Sequence, residues 1–150
     1  MRHANWTAFL AALALVLTLA PAALAGEPTE TLNVPTFGRV AVYAPPGAPD
    51  QVVLFVSGDG GWNLGVVTMA ERVRDLGALV VGVDIRAFVK SLEAAKGCAY
   101  PAGPLEELSR TVQLHRRLPA YKRPMLVGYS SGATLVYAAL AAAPDRKSVV

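Results

Sequence analysis

Met125-Leu126-Val127-Gly128-Tyr129-Ser130-Ser131-Gly132-Ala133 is the stretch on which the fold turns. Met125 to Tyr129 is an apolar run of strand length, and the small residues from about Ala133 to Ala143 suit a closely packed helix. Between them, Gly128-Tyr129-Ser130-Ser131-Gly132 fits the pattern G-x-S-x-G. Five such residues recur by chance as a plain glycine-rich turn. A buried strand before them and a helix after them make the setting that a nucleophile elbow requires. The turn is so tight that the residues two before and two after the serine must be small, and Gly128 and Gly132 meet that demand. The Ser130 hydroxyl is then expected above the sheet, with the helix N-terminus aiming N–H groups at developing negative charge.

Upstream, Val52 to Val56 is a continuous β-branched and aromatic run, which predicts a strand buried on both faces. Ser57 to Asn63 follows as a glycine-rich loop. Val66, Met69, Ala70, Val73 and Leu76 then recur at helical spacing, and Gly77 stands where a C-cap glycine belongs. Leu79 to Val83 is a second buried strand ending at Asp84, and Pro104 opens a helix carrying Leu105, Leu108 and Val112. Two short strands, Leu32 to Val34 and Arg39 to Tyr43, precede the dense turn signal of residues 44–50. Ser91 to Gly103 is the one irregular stretch, expected to fold over the functional edge as a lid or wall. Buried strands alternating with amphipathic helices predict an α/β fold, a mainly parallel sheet with helices on both faces. The sheet is expected to be incomplete at the C-terminus, with its last strand an open apolar edge.

Ser57-Gly58-Asp59-Gly60-Gly61-Trp62 follows the central strand, where an α/β-hydrolase places its oxyanion loop. Acyl transfer passes through a tetrahedral oxyanion, and losing one preorganised donor to it costs about 2.7–4 kcal/mol. Ser131, next after the serine, is expected to supply one N–H. Asp59 is the choice for the other, with Gly60 as the fallback. Phosphate binding by this loop is disfavoured, because no Lys-Ser or Lys-Thr follows at Walker spacing. Trp62 has two readings, a wall of the acyl pocket that touches substrate or a core-packing indole. Asp84 ends a strand at the functional edge, where it either hydrogen-bonds loop backbone or touches substrate.

In this fold the triad follows in chain order serine, acid, histidine. The 20 residues after Ser130 include Asp145 but no histidine. His115 precedes the serine and reads as a helix-boundary residue rather than a base. A serine hydroxyl without its base is a poor nucleophile. Residues 26–150 are therefore read as the N-terminal part of a hydrolase-like domain, with the acid and histidine expected beyond residue 150.

Residues 1–25 read as a cleavable signal peptide. Arg2 and His3 give a basic start, Phe9 to Ala20 is apolar apart from Thr18, and Ala23-Leu24-Ala25 offers the small residues that signal peptidase accepts. An uncleaved anchor is the alternative, though the run is short for a bilayer span. Either reading places the domain outside the cytoplasm, in the periplasm. At 53% hydrophobic and 17% charged, the chain suits one globular domain rather than a disordered tail. Of 14 Lys and Arg, Arg2 leaves with the leader, so 13 basic residues face 11 acidic ones, too even a balance for nucleic acid. Arg116, Arg117, Lys122 and Arg123 form a basic cluster, read either as a solvated helix end or as a surface for anionic lipid or an acidic partner. Cys98 is the single cysteine and is either a free buried thiol or paired outside this segment. One cysteine and two histidines build no metal site, and the expected chemistry needs no cofactor.

Leu54 to Asn63, Val80-Val81-Gly82-Val83-Asp84 and Leu126 to Ala133 together resemble the bacterial virulence proteins AcvB and VirJ. The resemblance covers essentially the whole mature chain and is closest to the amino-terminal of two tandem domains. It implies a periplasmic α/β-hydrolase-like domain, hydrolysis of lysyl-phosphatidylglycerol, an aminoacylated phospholipid, and a link to virulence and type IV secretion. The aminoacyl–glycerol bond is an ester, which a serine with an oxyanion hole cleaves unaided by metal. The second reading is a non-catalytic accessory domain that keeps the fold, with the lipid chemistry in a following domain.

Overall fold

A computed structural model describes residues 27–95 and 100–142 of the chain. The expected signal peptide, Cys98 and Asp145 lie outside the described residues. The chain runs through β1 (Glu30–Val34), β2 (Gly38–Tyr43), β3 (Gln51–Val56), α1 (Leu64–Asp75), β4 (Ala78–Val83), α2 (Ile85–Ala94), α3 (Ala102–His115), β5 (Pro124–Gly128) and α4 (Ser131–Ala142). The sheet order is β1-β2-β4-β3-β5. β3 pairs in parallel with both β4 and β5, while β2 is antiparallel to both of its neighbours. The α/β architecture is as expected, with one reversed strand in an otherwise co-directional sheet.

Alternation along the strands divides the core in two. Val52, Leu54 and Val56 of β3, with Leu79, Val81 and Val83 of β4, face Phe88 of α2, Leu105, Leu108 and Val112 of α3, and Val136 and Ala139 of α4. Val53, Phe55 and Val80 face the other way, against Val67 and Ala70 of α1. A strand covered on both sides has no polar face to show, which is why these runs are continuously apolar.

This division also locates the working end of the sheet. After β3 the chain turns to the α1 face, and after β5 it turns to the opposite face with α4. Two adjacent parallel strands whose exits diverge leave a crevice beyond their carboxyl ends, the usual ligand position in open α/β sheets. Register sets the exits level, since Val56 pairs with Gly128.

Two expectations need correction. Ser91 to Gly103 is not irregular throughout, because α2 runs to Ala94 and α3 starts at Ala102. The α2 helix carries Ile85 and Phe88 into the core, and Asp84 caps its N-terminus by accepting a hydrogen bond from the Arg86 N–H. The strand before the elbow is not buried on both faces either: it is an edge, with Met125 55% exposed. The open apolar edge expected for the last strand is thus β5.

Gly82 generates a test of the packing on the α1 side. A Cβ at this position would overlap the Trp62 ring, so the indole lies flat on bare β4 backbone. Gly82→Ala should cost about 1–3 kcal/mol in denaturant unfolding, the usual range for overpacking. Gly47→Ala, which meets nothing within 4 Å, should stay within about 0.5 kcal/mol of the parent. Equal stability of the two variants would contradict the packing.

Candidate active site

Ser130 sits between β5 and α4 with φ of 55°, in the left-handed region that side chains other than glycine rarely enter. Such a conformation costs on the order of 1–3 kcal/mol and persists only where surroundings enforce it. The enforcement is visible on both sides. The Tyr129 N–H donates to the Val56 carbonyl at 3.0 Å, prolonging the β3–β5 ladder by one rung. The Gly132 N–H donates to Tyr129 O and the Ala133 N–H to Ser130 O, each at 2.9 Å, which starts the helix at once. A Cβ on Gly128 would overlap the backbone of Gly132 and Ala133. One on Gly132 would overlap the carbonyls of Val56 and Ser57. Both glycines are needed for close backbone approach, as the tightness of the turn demands. The Ser130 side chain is left exposed at the apex.

The second wall is the loop after β3. Ser57 is fully buried, and its N–H donates to Val83 O at 2.9 Å. Its hydroxyl accepts from the Ile85 N–H at 3.1 Å and donates to Gly58 O at 3.2 Å. The loop then closes on itself, with the Gly61 N–H donating to Gly58 O at 2.8 Å and Gly61 at φ 76°. Asn63 caps α1 through the Gly65 N–H, while its amide donates to Gly60 O at 3.1 Å. Among the described residues, no hydrogen bond engages the N–H of Asp59, Gly60 or Ser131.

The two walls touch. A Cβ placed on Gly58 would lie 3.0 Å from the Ser130 Cβ. The next N–H groups along the chain are those of Asp59 and Gly60, and both residues line the space beside Ser130. A cavity of about 140 Å³ opens between the walls, lined by Gly58, Asp59, Gly60, Gly61, Asn63, Val66, Tyr129 and Ser130. A carbonyl carbon over Ser130 would have room there, with uncommitted donors beside it and no protein acceptor competing for them.

Trp62 and Asp84 do not line this cavity. The Trp62 indole stands edge-on to Phe55 and tilted against Tyr43, and its Nε1–H donates to the Tyr43 hydroxyl at 3.2 Å. Burial pushes the Tyr43 phenol up from its ordinary range, with the Trp62 hydrogen bond opposing. Of the two readings of Trp62, this is core packing. One Asp84 oxygen accepts from the Trp62 N–H at 3.2 Å and from Arg86 Nη2 at 2.8 Å. The other accepts from the Arg86 N–H at 2.9 Å and Nε at 3.1 Å. Of the two roles offered for Asp84, this geometry is loop and cap bonding. The Arg86 hydrogen bonds, opposed by partial burial, hold the Asp84 carboxyl below the usual carboxylate range.

His115 bonds Glu30 at 3.0 Å, on the strand at the far edge of the sheet from β5. Arg116 shares that Glu30 at 3.2 Å, and the Lys122 ammonium donates to Asp50 O. The basic cluster is therefore partly engaged with its own fold. Sequence reading passed over Arg86, Asn63 and Tyr129. Asn63 carried a signal as a polar residue ahead of a helical period, and Arg86 as a cation two residues after a capping acid.

Residues 50–149 match the family described as bacterial virulence protein (VirJ). No curated protein matches the chain. Among solved structures, an α/β serine hydrolase homologue from Coxiella burnetii is 20% identical at a TM-score of 0.49, over 80% of this chain and 59% of that one. A lipase in its open form is 20% identical at 0.47, over 72% of this chain and 36% of that one. The chain thus spans less than two thirds of either structure.

The backbone at Ser130 makes a measurable distinction between two small replacements. Ser130→Gly relieves the left-handed strain and Ser130→Ala does not, so the glycine variant should be the more stable by about 1 kcal/mol in denaturant unfolding. A glycine variant no more stable than the alanine one would contradict the φ at this position.

Proposed function

The chain belongs to the bacterial virulence protein (VirJ) family, and from that premise we propose that it carries the nucleophile and oxyanion hole of a serine ester hydrolase. One observation carries the reading: Ser130, held at φ 55° on a strand-to-helix turn, faces a glycine loop with uncommitted N–H groups. In the proposed reaction Ser130 Oγ attacks the ester carbonyl carbon as its proton passes to a base. The carbonyl oxygen becomes an oxyanion, received by the N–H groups of Asp59 and Ser131. Collapse expels the alcohol, which takes the proton from the base, and water then frees the acid from Ser130 in a second, matching step. The base is required of a histidine outside the described residues, since His115 is committed to Glu30.

The proposed substrate is an aminoacylated phospholipid, lysyl-phosphatidylglycerol, met on the outer side of the cytoplasmic membrane after export. Asp59 supports this choice. Among the described residues it is the one charged side chain lining the Ser130 cavity, and it is exposed there, so its carboxylate would attract the ammonium of an aminoacyl group. Export rests on the leader read in residues 1–25. Among the described residues, no helix is long and apolar enough to cross a membrane. The tandem arrangement and the tie to a secretion apparatus belong to the same reading; the alternative to it is a non-catalytic accessory domain, with the chemistry in a following domain.

The test uses the full-length protein and a fluorophosphonate probe, which reacts with activated serines. The wild type should label, Ser130→Ala should not, and the wild type alone should release lysine from vesicles containing lysyl-phosphatidylglycerol. Labelling that is unchanged in Ser130→Ala would move the nucleophile elsewhere.

A further inference from the structure

The glycine loop is bonded to one place at both of its ends. At the start, the Ser57 hydroxyl accepts from the Ile85 N–H at 3.1 Å, and the Ser57 N–H donates to Val83 O at 2.9 Å. At the finish, the Trp62 N–H donates to the Asp84 carboxylate at 3.2 Å. Three consecutive residues at the β4–α2 junction thus receive both ends of a loop whose middle is nearly all glycine. Glycine supplies the left-handed turn at Gly61 but no rigidity of its own. Rigidity must come from these anchors.

Arg86 completes the arrangement. Its guanidinium grips both Asp84 oxygens and lies against Gly61, where a Cβ would overlap it. It is also solvent-facing, its side chain 62% exposed against 19% for Asp84. The pair lies outside the Ser130 cavity, on the wall of a larger one of about 610 Å³ that also includes Arg39, Tyr43 and Trp62.

We propose that Asp84, clamped by Arg86, is the positioning residue of the oxyanion hole, fixing the Trp62 end of the loop so that the Asp59 N–H is aimed over Ser130. The inference rests on the serine hydrolase reading and adds to it where donor alignment comes from. An oxyanion donor acts only if held in place before charge develops, and a misplacement of about 1 Å can cost on the order of 10²-fold in rate.

Asp84→Asn isolates this role. Asparagine is as good a helix N-cap as aspartate. Its amide offers only one acceptor oxygen, so it cannot cap α2 and receive the Trp62 N–H as the carboxylate does. In the full-length protein acting on a chromogenic short-chain ester, Asp84→Asn should lower kcat on the order of 10²-fold with KM little changed. Affinity for a boronic acid, which forms a tetrahedral adduct on the serine, should fall by the same factor. Arg86→Gln, at an exposed position, should show a smaller loss in the same direction and guards against a folding defect in the first variant. Wild-type kcat in folded Asp84→Asn and in Arg86→Gln would overturn the inference and leave the serine reading intact. So would a fall in kcat matched by a rise in KM with boronate affinity unchanged. A wild type that hydrolyses no ester would overturn both.

Discussion

The parallel pairing of β3 with β5 is the contact on which the site depends. It brings two chain exits level, Val56 opposite Gly128, and the Tyr129 N–H extends the ladder past the end of the strand. Beyond that rung the exits must part, one toward α1 and the other toward α4. They can do so only if nothing larger than hydrogen stands at Gly128 and Gly132, and a Cβ on Gly58 would already press on Ser130. The crevice is a consequence of sheet topology, and the glycines are a consequence of how narrow it is.

Strain at Ser130 is sustained by this same contact. A residue free to relax would leave φ 55° for the right-handed or extended region. Here a β-ladder holds the residue before it, and the first hydrogen bonds of α4 hold the residues after it, so relaxation would break several backbone bonds to relieve one dihedral. The loop opposite is held differently. Its conformation depends on polar anchors, Ser57 on the Ile85 N–H and Trp62 on Asp84, with the Trp62 indole pressed on Gly82 beneath. One wall of the site is built by steric constraint and the other by hydrogen bonds.

The elbow was legible in the sequence because its constraints are local: strand, two glycines and helix lie within one short segment. The central strands were legible for a similar reason, since burial on both faces leaves an uninterrupted apolar run. The α2 helix was missed although Ile85, Phe88, Val89 and Leu92 recur at helical spacing. Asp84 was weighed as a site residue, which obscured its role as a cap. The packing of the Trp62 indole depends on the space over Gly82, twenty positions away, and no pattern near Trp62 reports it. The edge position of β5 is likewise a property of sheet order, which a strand's own composition does not disclose.

The most direct measurement is a crystal structure of the full-length protein after reaction with a fluorophosphonate. The account expects phosphorus bonded to Ser130 Oγ and its phosphoryl oxygen about 2.7–3.1 Å from the backbone nitrogens of Asp59 and Ser131. An adduct whose oxygen points to solvent, with those two nitrogens turned away, would contradict it. So would an adduct on any other side chain.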